Sequence, residues 1–364
     1  MWLVALLVSL LPWSATVAQK HLRVSEIGGF PQSEAGYAMG VSACFAGTIG
    51  NHIIMAGGCN FPDNSGVKRY YEGIYAAHWQ ADTLQWRRIG TLPEPVAYGA
   101  TVDMGDSLLL IGGNNQEHSL RQVVSIKLDP RDNAIITRLP SLPVTVDNGA
   151  AAYAKGHVFV FGGNQNGKPS KALWSLSCSR PTSQWKSRKA MPGKPRVQPV
   201  CVAHGQRLFA WGGFYAKGAK SKVATDGYAY DVMRNRWAPL PAPRDAAGET
   251  LTLSGATGAA NGEGLLLCLG GVNKTIFADA ISGKYHLVDQ ANYLKQPVAW
   301  YRFNATPLVF NAKRMQWMAP ATPDARLARA GALLVGIAAN QFLYIGGELK
   351  PGVRTPQILR IELE

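Results

Sequence analysis

The chain has 364 residues, 47% of them hydrophobic, and carries 37 Lys plus Arg against 23 acidic residues, a formal charge of +14. A surplus of that size draws anions, but the cations are dispersed in runs no longer than pairs such as Lys68-Arg69, with no recognition helix or basic arm, which excludes a nucleic-acid surface. After the first residues no stretch approaches the roughly 18 apolar residues of a membrane span, and length alone leaves one or two domains open.

The N-terminus reads Met1-Trp2, an apolar run from Leu3 to Leu11, Pro12, and small residues through Ala18. The pattern predicts a signal peptide over 1–18 with cleavage before Gln19, hence a mature chain that is periplasmic or otherwise exported and keeps no membrane anchor. It departs from the usual signal only in having no Lys or Arg before the apolar core.

From there the sequence is organised by a repeat. Gly-Gly pairs fall at Gly57-Gly58, Gly112-Gly113, Gly162-Gly163, Gly212-Gly213, Gly270-Gly271 and Gly346-Gly347. Each follows a short apolar run, from Ile53-Ile54-Met55 through Phe342-Leu343-Tyr344. Such runs ended by Gly read as strands buried on both faces. Paired glycines let the backbone take positive φ and let chains approach closely at a crowded centre. A period near 50 residues is that of a kelch repeat. A second mark, an aromatic or aliphatic residue some seven residues before a proline (Trp86 to Pro93, Ile136 to Pro143, Trp185 to Pro192), locates the outer strand of each repeat.

The predicted fold is therefore all-β, a six-bladed kelch-type β-propeller forming a single domain over 19–364. Its blades run 38–92, 97–142, 147–192, 196–242, 247–322, and 328–364 joined by 21–30. The last blade lacks a fourth strand of its own, and Val24 precedes Pro31 by the same seven residues. Strand Leu22 to Ile27 is thus expected to close it and remove the free sheet edges. The long fifth interval, Asn273 to Thr306, is an insertion in which Tyr285 to Leu294 is expected to form a short helix over one face.

The five cysteines, Cys44, Cys59, Cys178, Cys201 and Cys268, are odd in number and irregularly spaced, without CxxC or a Cys/His cluster. No metal site is expected, and at most two disulfides. In a propeller, function sits on loops converging at the axis, so the residues after each Gly-Gly pair are the candidates. They are Cys59-Asn60-Phe61, Asn114-Asn115, Asn164-Gln165, Phe214-Tyr215, Val272-Asn273 and Glu348-Leu349-Lys350. Amides such as Asn60 suit the hydroxyls and carbonyls of a sugar, although Asn also tolerates turns. Only Gly346-Gly347 leads into a carboxylate, Glu348, with Lys350 and Arg354 close behind. A lone acid with two cations in a tight loop suggests a base beside anion-binding groups. Arg196, at the start of a blade, either faces the channel or is a solvated surface cation.

Gly347 to Thr355, GELKPGVRT, resembles the GEAKPGLRT stretch of bacterial N-acetylneuraminate epimerases, the kelch-type sialic acid mutarotases. Phe45-Ala46-Gly47 leading to Ala56-Gly57-Gly58, and Gly270-Gly271-Val272-Asn273-Lys274-Thr275-Ile276-Phe277, resemble two further stretches of that family. The order, with the FAG blade first, is that of its cyclically permuted branch. The resemblance implies interconversion of the α and β anomers of N-acetylneuraminic acid by ring opening and closure, without cofactor or metal. It makes Glu348 the proton acceptor and Arg354 the catalytic arginine, and it places Asn273 in a matched motif, as substrate ligand or as turn residue. The expected partner is a small anionic sugar. A sialidase is disfavoured because its SxDxGxxW boxes are missing, and a copper-radical oxidase by the lack of ligands. A non-catalytic propeller that binds protein or glycan is the remaining alternative.

Overall fold

The computed structural model describes residues 21–62, 66–79, 82–180 and 182–364; the expected signal peptide lies outside them. Six antiparallel sheets of the expected kind follow one another along the chain. Blade 1 is built from Phe45–Ile49, His52–Ala56, Gly73–His78 and Arg87–Thr91. Blades 2 to 5 repeat this up-and-down order. Blade 6 takes Leu333–Ala338, Gln341–Ile345 and Ile358–Leu363 from the C-terminal end and Leu22–Ile27 from the other. The register runs from Leu22 opposite Leu363 to Ile27 opposite Ile358, so the strand expected to close the ring does so over the residues named from sequence.

The second strand of each blade is buried on both faces, as its unbroken apolar run predicts, because it lies between two blade-to-blade packing layers. Each layer is a separate apolar cluster: Ile53, Met55, Leu343 and Ile345 between blades 6 and 1, for example, and Trp211, Leu266 and Phe310 between blades 4 and 5. The outer tryptophans pack between blades as expected. Three also donate their indole N–H to the preceding blade: Trp185 to the Pro140 carbonyl, Trp237 to that of Lys189, Trp317 to that of Pro241.

At the axis the chain does something its repeat only partly announced. Ala43, Tyr98, Asn148, Gln198, Gly255 and Gly331, one per blade boundary, all have left-handed backbone, with φ between 52° and 69° for the last five and 54° for Ala43. Each donates its N–H to the carbonyl of the one before: Tyr98 to Ala43, Asn148 to Tyr98, Gln198 to Asn148, Gly255 to Gln198, Gly331 to Gly255, and Ala43 back to Gly331, at 2.7–3.1 Å. The six bonds form a closed ring.

The Gly-Gly pairs sit one shell outside this ring. A Cβ on Gly112 would lie 2.2 Å from the Val146 carbonyl oxygen of the next blade, and the first glycine of every other pair meets the adjoining blade's backbone within 2.7 Å. Both glycines of each pair have positive φ. Two independent causes therefore exclude a side chain there, backbone strain and a direct backbone clash.

Glycine-to-alanine exchange separates those causes. Gly105 has φ 84° but open space around it, so Gly105→Ala is expected to cost only the strain, about 1–3 kcal/mol. Gly112→Ala is expected to cost more than about 4 kcal/mol or to prevent folding. Urea titration of the two variants checks this, and equal costs would show that blade contact does not select the glycine.

Candidate active site

The two short strands Glu348–Lys350 and Val353–Arg354 form a hairpin turning at Pro351-Gly352, where Gly352 has φ 87°. Glu348 lies opposite Arg354 in the pairing. Opposed residues of an antiparallel pair share a face, so a spacing of six places acid and arginine side by side. The backbone of Glu348 is in turn pinned to Ala330, beside the axial ring, by paired N–H to carbonyl bonds of 2.7 and 2.9 Å.

Glu348 Oε1 accepts from Arg354 Nη1 at 2.7 Å and from the Gly352 N–H at 3.0 Å. Both bonds use one oxygen, and the side chain is still 25% exposed while that of Arg354 is only 4% exposed. The carboxylate is thus oriented from behind and open in front. Arg354 Nε donates to Ser42 Oγ at 3.0 Å, and its guanidinium carbon lies 5.0 Å from the centre of the Phe61 ring. Burial works against the guanidinium charge, but the Glu348 carboxylate, together with Cys59 and Tyr98, outweighs it and holds the group more firmly protonated than usual. The site therefore joins blade 6 to blade 1.

Phe61 also faces Lys68, whose Nζ lies 5.8 Å from that ring, 4.9 Å from the ring of Tyr98 and 3.1 Å from the Tyr98 hydroxyl oxygen. Burial, and next the neighbouring Cys59 thiol, push the Tyr98 hydroxyl far above its ordinary pKa; Arg354 partly opposes this. Tyr98 and Glu348 line one cavity of about 150 Å³ together with Ser42, Asn148, Gln198 and Gly331. It is the mouth of the axial channel, which continues between the first strands as a cavity of about 310 Å³ walled mainly by small and aliphatic residues.

Across the mouth stands a polar array. Asp147, only 4% exposed, accepts from Ser119 Oγ, Asn148 Nδ2 and Asn164 Nδ2 at 2.6–2.8 Å, and Gln198 Nε2 donates to Asn148 Oδ1 at 2.8 Å. Asn148 and Gln198 belong to the axial ring. Their sequence signal was their place, 14 residues before a Gly-Gly pair, in step with Tyr98.

The insertion in blade 5 packs against the Glu348–Lys350 strand. Its helices are α1, Lys274–Ile281, and α2, Gln290–Tyr293, with a 3₁₀ turn at Val298–Tyr301. The helix expected over 285–294 is thus only its last turn, and α1 was not anticipated. A cluster of Tyr285, Tyr293, Trp300, Tyr301 and Phe303 holds the segment together. Burial first, then neighbouring tyrosines and the Glu348 charge, push Tyr293 up to about 12.

The remaining residues expected to meet a ligand are committed to the protein. Asn60 is 2% exposed; its Nδ2 donates to the Gly36 and Gly40 carbonyls and its Oδ1 accepts from Tyr71. Arg196 is neither a channel residue nor a solvated cation. It is 3% exposed, donates through Nη1 to the carbonyls of Gly212 and Asp226, and pairs with the Asp226 carboxylate at 2.8 Å. Arg329 makes the same lock on the Gly346 carbonyl. Lys350 Nζ donates to the carbonyls of Leu294 and Gln296 and ties the insertion to the hairpin. Asn273 is the N-cap of α1, its side chain accepting from Thr275 and Ile276, so the turn reading holds for its oxygen. All five cysteines are free. Among the described residues no cluster of ligands fit for a metal is found, and no helix is long and apolar enough to cross a membrane.

A six-bladed propeller with an acid–arginine pair at its axial mouth is the class of protein defined by this geometry. The chain matches the N-acetylneuraminate epimerase family over residues 11–135 and 139–364, and it belongs to that family. It is 30% identical over 240 residues to an N-acetylneuraminate epimerase of Salmonella paratyphi B, covering 62% of this chain and 58% of that protein. A protein of the same name from Yersinia enterocolitica is 30% identical over 234 residues, 61% of this chain and 56% of its own. One from Haemophilus influenzae is 29% identical over 231 residues, 60% and 57%. The chain thus aligns with less than two thirds of the length of these relatives.

Replacing Arg196 tests its reassignment. Arg196→Met is expected to lower unfolding stability by about 2–4 kcal/mol, because it strips partners from buried carbonyls, and to leave sugar binding by the folded protein unchanged. Urea titration and calorimetric binding check the two halves. An R196M protein of normal stability and weakened binding would return the residue to the ligand.

Proposed function

We propose that the chain is an N-acetylneuraminate mutarotase, interconverting the α and β anomers by ring opening and closure at the axial mouth. The observation that carries this reading is the Glu348–Arg354 pair, a carboxylate oriented through one oxygen beside a buried guanidinium and left open toward the cavity. The family supports it, as does the activity for which the relatives are named.

The chemistry needs few parts. Glu348 takes the proton of the anomeric hydroxyl as the bond between the anomeric carbon and the ring oxygen breaks, and returns it after the open-chain keto acid recloses on its other face. Arg354 orients Glu348 and places positive charge near the substrate carboxylate; with Nη1 on Glu348 and Nε on Ser42, its fork is not open for a bidentate grip. The polar array of Asn148, Asn164 and Gln198 suits the hydroxyls and amide of the sugar. The surplus of 14 positive charges favours capture of an anionic substrate. The apolar N-terminal run supports export, with cleavage before Gln19.

The test is a proton-NMR time course on freshly released α-N-acetylneuraminic acid. The protein is expected to speed the change toward the β anomer, and Glu348→Gln to slow it about 100- to 10,000-fold. Acceleration no greater than in a buffer blank would leave the non-catalytic binding reading; full activity in E348Q would remove only the base assignment.

A further inference from the structure

Ring opening moves two protons, and Glu348 accounts for one. A group must also protonate the ring oxygen as it leaves the anomeric carbon, and take that proton back on closure. Tyr98 has the position and the hydrogen-bond polarity for this.

Its position is costly. Tyr98 is a bulky residue at φ 59° in the axial ring, where Gly255 and Gly331 meet the same requirement without a side chain. A non-glycine residue held there is strained. The strained backbone places an aromatic side chain along the mouth, in the cavity that Glu348 also lines. Its polarity is set by Lys68. An ammonium only donates, so in the 3.1 Å contact the Tyr98 oxygen accepts, and the phenol proton is directed elsewhere. The nearby Cys59 sulfur is a weak acceptor, which a sugar oxygen outcompetes. Arg354 and Lys68 flank Phe61, so the phenol is continuous with the acid–arginine pair and is not a separate site.

We propose that Tyr98 is the acid that protonates the ring oxygen, with Lys68 holding the phenol oxygen and offsetting the charge that develops on it. This rests on the mutarotase reading. In the forward step Glu348 takes the anomeric hydroxyl proton, the electron pair of that O–H bond becomes the second bond of the ketone, and the carbon–ring-oxygen bond breaks with its pair moving to the ring oxygen, which receives the Tyr98 proton. After rotation about the adjoining carbon–carbon bond, the freed hydroxyl returns its proton to the Tyr98 phenolate and attacks the opposite face of the ketone. The ketone oxygen then takes the proton from Glu348, and the enzyme is restored. Nothing is oxidised or reduced.

The experiment compares wild type, Tyr98→Phe and Lys68→Met in the NMR assay from pH 5 to 8, with buffer rates subtracted. Tyr98→Phe removes one oxygen and leaves the ring. It is expected to lower kcat about 100-fold with little change in KM. The residual rate is expected to rise about tenfold per unit fall in pH near neutrality, as hydronium replaces the missing acid, while the wild-type rate stays nearly flat. Lys68→Met is expected to fall between the two. An active wild type with an unimpaired Y98F kcat, or a Y98F defect confined to KM, overturns the assignment of Tyr98 and leaves the mutarotase reading standing. A wild type no faster than buffer overturns both.

Discussion

Six backbone hydrogen bonds closed into a ring govern this molecule. Each ring residue donates to the blade behind and accepts from the blade ahead, and all six do so around one axis with left-handed backbone. Once the first strands are drawn that close, the next shell has no room for side chains, which is why every blade carries a Gly-Gly pair against its neighbour's carbonyl. A ring has no natural beginning, so the chain can start at any seam without changing the core. Here the seam runs through blade 6, closed by Leu22–Ile27 on one side and by the Ala43 to Gly331 bond on the other.

The same constraint creates the site. A sixfold repeat presents six equivalent turns around one mouth, and chemistry requires that they stop being equivalent. Blade 6 supplies the only carboxylate among the residues that follow a Gly-Gly pair, the next boundary supplies Ser42, Phe61 and Lys68, and the one after it Tyr98. Asn148 and Gln198 continue the series as neutral amides, and Gly255 and Gly331 end it without side chains. Strain is thus accepted at Ala43, Tyr98, Asn148 and Gln198, all of which line the cavity, and relieved by glycine at Gly255 and Gly331.

Much of this was legible in the sequence, for physical reasons. Buried strands must be apolar throughout, close-packed turns must be glycine, and a missing fourth strand must be supplied from the other end, so the blades and their closure could be read directly. Glu348 stood out as a charge at a position otherwise neutral. Arg196 and Lys350 were misleading because a cation near a binding mouth looks the same in sequence whether it meets a ligand or caps backbone carbonyls. Asn60 failed for a related reason, since an amide has partners of either polarity and the fold used them all. The axial ring was harder to see because its positions hold Ala, Tyr, Asn, Gln and Gly; they share a backbone conformation and no side-chain chemistry. Helix α1 escaped notice because its start is marked by a single capping residue, Asn273, inside a stretch that also read as a turn.

The central claim is that catalysis takes place at the axial mouth, between blade 6 and the first two blades. The most direct measurement is a crystal structure with N-acetylneuraminate bound. The account predicts the sugar at the mouth, its anomeric hydroxyl within about 3.2 Å of the Glu348 carboxylate, its ring oxygen toward Tyr98, and its remaining hydroxyls toward Asn148 and Gln198. A sugar seated on an outer strand or at the opposite end of the channel, with Glu348 and Arg354 untouched, would contradict it.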